Sequence, residues 1–160
     1  MERHFTVTGY VVHNDRTLLH WHRKLGMWLP PGGHIDPNED PVSAVIREVR
    51  EETGLQVELL PQRPPVRGFG RPVQIAPPVT ILLEDIDEPG RPHQHIDMIY
   101  FTRVMVPSQP SVDAEAWRWA TLRELEAARL DGAAAPAIAE DVRKLGLLAI
   151  ARFAEATVAG

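Results

Sequence analysis

The sequence predicts a single domain of the α/β (α+β) class over residues 1–160, a mixed β-sheet with helices packed on its faces. Three observations carry that expectation. Short β-favouring runs recur along the chain. Two longer segments show helical apolar periodicity with recognisable start or stop residues. No internal repeat or domain-length linker divides them. At 17.9 kDa the chain can bury one full hydrophobic core. Its apolar fraction of 44% and charged fraction of 24% are ordinary for a soluble globular protein.

Phe5 to Val12 and Thr17 to Trp21 flank the turn-type cluster His-Asn-Asp-Arg and read as an antiparallel hairpin. Leu29-Pro30-Pro31-Gly32-Gly33 is incompatible with a helix and is expected to be a tight loop. Asp40 followed by Pro41 marks a helix start, and Gly54 a stop, giving a helix from Pro41 to Thr53. Val57 to Leu60 is a short strand. Pro61 to Pro78 holds six prolines and is expected to be an ordered irregular loop, because proline cannot join a central ladder. Val79 to Leu83 and Ile96 to Val106 are strands linked by a turn around Asp87-Glu88-Pro89-Gly90. Trp117 to Ala120 is a last strand, followed by a helical turn over Leu122 to Ala128. Pro136 to Ala156 is a second long helix with an apolar stripe of Ile138, Val142, Leu145, Ala149 and Phe153.

Composition narrows function. Net charge is −5 with no run of Lys or Arg, which argues against a duplex nucleic-acid binder. The absence of cysteine removes disulfides, thiolate zinc sites and cysteine nucleophiles, and fits a reducing compartment. The N-terminal MERHFTVTGYVV lacks the apolar stretch of a secretory signal, and no segment is apolar enough for a membrane span. The expectation is a cytoplasmic protein without a membrane partner, acting on a small molecule.

The helix from Pro41 carries the chemistry. At 100° per residue, Val42, Val45, Ile46 and Val49 share an arc of roughly 100° that faces the sheet. Glu48 and Glu52 lie one turn apart along one edge of that stripe, with Glu51 slightly further round. Negative charge is crowded at the helix C-terminus, where the helix dipole is itself negative. Two carboxylates ~5 Å apart repel by about 3 kcal/mol at an effective dielectric near 20. A bound cation relieves that repulsion, and oxygen-only ligands favour Mg²⁺ or Mn²⁺ over zinc. Such ions commonly bridge carboxylates to substrate phosphates, so phosphoryl or pyrophosphoryl transfer to water is the leading chemistry. The plain alternative is a solvated acidic helix face.

Spacing goes further. Gly33, five residues, Glu39, seven residues, Arg47-Glu48-Val49, one residue, Glu51-Glu52, one residue, Gly54-Leu55 resembles the Nudix box at every defined position. Trp28-Leu29-Pro30-Pro31-Gly32 resembles the approach to that box, with an extra proline. The resemblance implies a Nudix-type α/β/α sandwich whose box forms a loop–helix–loop. It also implies hydrolysis of a nucleoside diphosphate linked to another moiety by metal-activated water, with Mg²⁺ or Mn²⁺ as cofactor. Glu48 and Glu52 would be the main metal ligands and Glu51 a further ligand or support. The carbonyl of Gly32 would complete the inner shell. Arg47 would orient a glutamate, and Glu39 would brace the loop. Asp36 and Asn38 stand where a Glu and a Gly are often seen, and Asn tolerates a left-handed turn.

Outside the box, the resemblance implies a further acid from a later loop, and Glu115 is the candidate, against an ordinary exposed carboxylate. Arg23, beside Lys24, follows the second strand where relatives often direct a cation at phosphates, and Arg suits bidentate contact. Trp28 is read as a packing residue rather than a base-stacking one. His93-x-His95-x-Asp97 places its side chains on one strand face. It is similar to a stretch of metallo-β-lactamase-type zinc hydrolases, but Met98 stands where a further His is needed. A milder reading is that His95 and Asp97 line the substrate cleft; the alternative is that they are hydrogen-bonded edge residues.

The leading function is a Nudix pyrophosphohydrolase acting on a nucleoside triphosphate or an ADP-ribose or nucleotide-sugar type compound. The rival is a catalytically silent Nudix-type sensor, which predicts a degraded box or an attached DNA-binding domain. An isoprenoid diphosphate isomerase is disfavoured by the missing cysteine. Apolar faces on the C-terminal helix are compatible with a homodimer.

Overall fold

The computed structural model describes residues 1–62, 66–105, 113 and 116–158. Its elements follow in the order β1 (Glu2–His13), β2 (Arg16–His22), β3 (Met27–Leu29), β4 (Gly32–His34), α1 (Pro41–Thr53), β5 (Val57–Leu59), β6 (Thr80–Ile86), β7 (His93–Val104), β8 (Trp117–Thr121), α2 (Leu122–Glu126) and α3 (Glu140–Val158). The strands form one eight-stranded sheet. β1 and β7 lie side by side in parallel, from Glu2 opposite His93 to Val12 opposite Arg103. The other pairings are antiparallel, so the expected mixed sheet is present.

Each long central strand serves two partners in succession. β1 pairs β4 through Thr6 to Thr8 and reaches β2 only at Val12 and His13. β7 pairs β6 through His93 to Ile99 and then β5 from Thr102 to Val104. The predicted hairpin between the first two strands is formed, and its turn uses Asn14 at φ 56°.

Period-two alternation divides the core into two layers. Val7 and Val11 on β1, with Tyr100 and Val104 on β7, pack with Val45 and Val49 of α1. Tyr10 and Val12, with Ile99 and Phe101, face Val142, Ala149 and Ile150 of α3. Helices therefore cover both faces. Trp28 is buried in the second layer, as its packing reading required. α1 sits close because Gly9 carries no side chain: a Cβ there would stand 2.9 Å from the Cγ2 atoms of both Val45 and Val49.

The structure corrects several boundaries. Gly32–His34, expected as part of a loop, is a strand on β1, because Thr6 to Thr8 present a free edge that glycine backbone can approach. The last helix starts at Glu140 rather than Pro136. Residues 136–138 are instead extended against 128–130, where Leu130 N–H donates to the Pro136 carbonyl and Ile138 N–H to that of Ala128. β6 runs on to Ile86, and β7 begins at His93 rather than Ile96. Its expected end, Val106, lies outside the described residues. The apolar stripe of α3 is spent on the core, while Leu148 and Val158 remain exposed. Among the described residues no helix is long and apolar enough to cross a membrane.

Gly9→Ala is expected to destabilise the fold by about 1–3 kcal/mol, the usual cost of forcing extra atoms into a packed core. Urea denaturation with an unchanged slope checks it.

Candidate active site

α1 is built by local signals. The Asp40 carboxylate accepts from Val42 N–H at 2.9 Å and Ser43 N–H at 3.1 Å, closing the first turn. The Ser43 hydroxyl also donates to it, and this bond leads the effects that hold the Asp40 carboxyl below its ordinary range. Gly54 ends the helix at φ 73°, with its N–H on the Arg50 carbonyl. Burial of Val45 and Val49 then fixes the rotation of the helix, leaving Arg47, Glu48, Glu51 and Glu52 outside the core.

Arg47 ties these parts together. Its Nε and Nη2 form a fork on the Glu39 carboxylate at 2.9 and 2.8 Å. Nη1 donates to Glu48 at 2.7 Å and Glu51 at 3.2 Å, and Nη2 also reaches the His34 carbonyl at 3.0 Å. The guanidinium hydrogen bond is the main reason the Glu39 carboxyl is held low. Glu39 in turn accepts from Asp36 N–H, and Asn38 adopts φ 67°, the left-handed turn expected there.

Gly32 and Gly33 are places of close approach. A Cβ on Gly33 would lie 2.6 Å from the Glu48 carboxyl atoms, and one on Gly32 would lie 2.3 Å from the Val7 carbonyl. Glu48 is mostly buried, at 15% side-chain exposure, between Gly33 and Arg47, whereas Glu51 is exposed at 55%. Glu52 accepts from Gly32 N–H at 3.1 Å. Its side chain reaches solvent, yet surrounding atoms desolvate the carboxyl and raise its pKa, and the nearby Glu48 charge pushes the same way.

Glu52, Gly32 and Gly33 line a cavity of about 750 Å³, together with residues of β1, β2, β6, β7 and α3. His95 and Asp97 are among its lining residues. Asp97 is buried, and its oxygens accept from the Thr6 and Thr8 hydroxyls at 2.9 and 2.7 Å. Burial nevertheless raises its pKa. Arg23 is exposed and does not line the cavity, where its neighbour Lys24 does. Glu115 lies outside the described residues.

Glu84 escaped the sequence reading. It lines the cavity, and its carboxyl is pushed up to about 7, first by burial and then by the charges of Asp97 and Asp141. The available signal was its phase: with Thr80, Leu82 and Ile86 it occupies the inward positions of β6, an unusual place for a charge.

Comparison with known proteins follows the same lines. The family model for the NUDIX domain matches residues 2–141. A NUDIX-family hydrolase from Clostridium perfringens, solved as a crystal structure, superposes with a TM-score of 0.75 at 29% identity, covering 96% of this chain and 99% of that one. The asymmetrical bis(5'-nucleosyl)-tetraphosphatase of Mus musculus is 43% identical over 44 residues, 28% of each protein. A MutT-like protein of Streptomyces ambofaciens is 46% identical over 55 residues, 34% of this chain and 36% of its own length. The matched stretches therefore span about a third or less of these curated relatives.

Glu84 sets a pH expectation. Its folded pKa, raised from 4.5 to about 7, makes the folded state bind the extra proton in that window. Its contribution to stability falls as pH rises from 4.5 to 7, and the full cost is present above. Glu84→Gln should melt at a higher temperature than the parent at pH 8, with the gap closing towards pH 4.5; a gap independent of pH refutes this.

Proposed function

The chain belongs to the NUDIX domain family, and from that premise we propose that it hydrolyses a pyrophosphate linkage in a nucleoside diphosphate-linked compound. The substrate would be of the nucleoside triphosphate, ADP-ribose or nucleotide-sugar type. One observation carries the reading: Glu52, raised by burial and by Glu48, stands against Gly32 at the wall of a cavity of about 750 Å³. That volume suits a nucleotide-sized ligand. Its likeness to a NUDIX-family hydrolase and to a bis(5'-nucleosyl)-tetraphosphatase supports it.

The donor set fits a hard divalent cation, Mg²⁺ or Mn²⁺, because it consists of oxygens whose mutual repulsion a cation relieves. Glu48, Glu52 and the Gly32 carbonyl would hold it, with Glu51 in support. When bound, the ion supplies positive charge to the substrate's phosphate oxygens and acidifies water. The chain's own residues do the rest. Arg47, locked by Glu39, orients Glu48. His95 and Asp97 shape the cleft, and Lys24 brings to it the phosphate-directed charge expected of Arg23. Glu115 is the proposed acid beyond the box. The complete glutamate set supports an enzyme over a silent sensor, and the lack of cysteine supports a cytoplasmic setting.

Glu52→Gln should lower kcat by at least ~10²-fold with the fold intact, the scale of losing a group essential to metal-assisted catalysis. Near-normal turnover overturns the site assignment. EDTA should abolish activity, and added Mg²⁺ or Mn²⁺ restore it. A phosphate-release screen over nucleoside triphosphates, nucleotide sugars, ADP-ribose and dinucleoside polyphosphates identifies the substrate.

A further inference from the structure

Beyond the carboxylate cluster, the parallel register of β1 and β7 assembles imidazoles. His4 stands opposite His95, and His93 lies two residues before it on the same face of β7. One ligand atom from each of His4, His93 and His95 lies within 4.8 Å of the others. His34, the residue after Gly33, adds a fourth ring, with its centroid 5.2 Å from those of both His4 and His95.

Hydrogen bonds select the nitrogen that carries the lone pair in two of these rings. His93 Nδ1 lies 3.0 Å from the Arg91 carbonyl, so it carries the proton and Nε2 keeps its lone pair. That Nε2 faces His95 Nε2 at 3.1 Å. His4 Nε2 lies 3.2 Å from the Glu2 carboxylate, which assigns the proton there, so Nδ1 carries the lone pair and accepts from His34 Nε2 at 3.2 Å. A ring N–H donated to a backbone carbonyl or a carboxylate is the usual support of a metal-binding histidine. His93 is buried, His4 and His95 half-buried, so the rings are partly withdrawn from water without being sealed.

We propose that His4, His93 and His95 form a second metal site, selective for a borderline transition ion of the Zn²⁺ class and separate from the oxygen-donor site of the box. Tetrahedral coordination at about 2.1 Å needs nitrogens about 3.4 Å apart, and here His93 Nε2 and His95 Nε2 are 3.1 Å apart, with all three ligand atoms within 4.8 Å of one another. Three imidazoles leave a fourth position for water or a substrate oxygen. His93 and His95 also line the cavity that Glu52 reaches, so an ion held there would present its charge to the same ligand. Asp97 is not a member, because Thr6 and Thr8 occupy its carboxylate oxygens. The hard ions expected at the box have little preference for imidazole, so the two sites differ in kind.

The test is titration of the metal-stripped full chain with Co²⁺ alone at neutral pH, read by visible d–d absorption, followed by displacement with Zn²⁺. One Co²⁺ per chain should bind with the intense bands of a low-coordinate nitrogen site, and Zn²⁺ should abolish them. His95→Gln and His4→Gln should each weaken binding at least ~10-fold, while Glu52→Gln leaves the bands unchanged. Circular dichroism of the metal-free variants checks folding. His4 lies near the start of an outer stretch of β1, so His4→Gln decides if His95→Gln does not fold. Weak octahedral bands alone, bands lost in Glu52→Gln, or bands unaffected in His4→Gln overturn the proposal.

Discussion

The fork between Arg47 and Glu39 is the constraint on which the box depends. Its bonds join the loop before α1 to the middle of the helix, and the same guanidinium reaches Glu48, Glu51 and the His34 carbonyl. Without a cation in that place, carboxylates gathered at a helix C-terminus would repel one another and oppose the dipole. Arginine is suited to it because a planar fork satisfies one carboxylate with two donors and keeps another edge for a second. With its side chain only 20% exposed, the pairing is shielded from solvent more than a surface salt bridge would be.

Close approach of backbone is the second requirement, and glycine meets it at three points. Gly9 lets α1 settle on β1. Gly32 lets β4 lie against Val7 and Thr8, and Gly33 leaves space that the Glu48 carboxyl fills. These contacts bring Glu52 to the Gly32 backbone at the cavity wall. The chemistry of the helix and the position of the strand are therefore one packing problem.

Division of the sheet creates the cavity. Because β1 turns from β4 to β2, and β7 from β6 to β5, inward positions at one end of the sheet face a cavity rather than packed core. That end carries polar groups, with Tyr10 and Ile99 at its inner limit, where the other carries Val12 and Phe101. Thr6 and Thr8 satisfy Asp97, and Glu84 is driven towards neutrality by the same low-dielectric surroundings.

The sequence by itself determined α1 and the box, because caps, apolar period and glutamate spacing are all local: Asp40 and Gly54 end the helix where expected. It also determined most strands. Only tertiary structure decided the rest. Gly32–His34 has no side-chain pattern that announces a strand, since its partner edge on β1 makes it one. The inward turn of Glu84 and the gathering of His4 with His93 and His95 depend on pairings between distant segments. Local propensity sets what a stretch of chain can become, but which side chains meet is set by register between strands far apart in sequence.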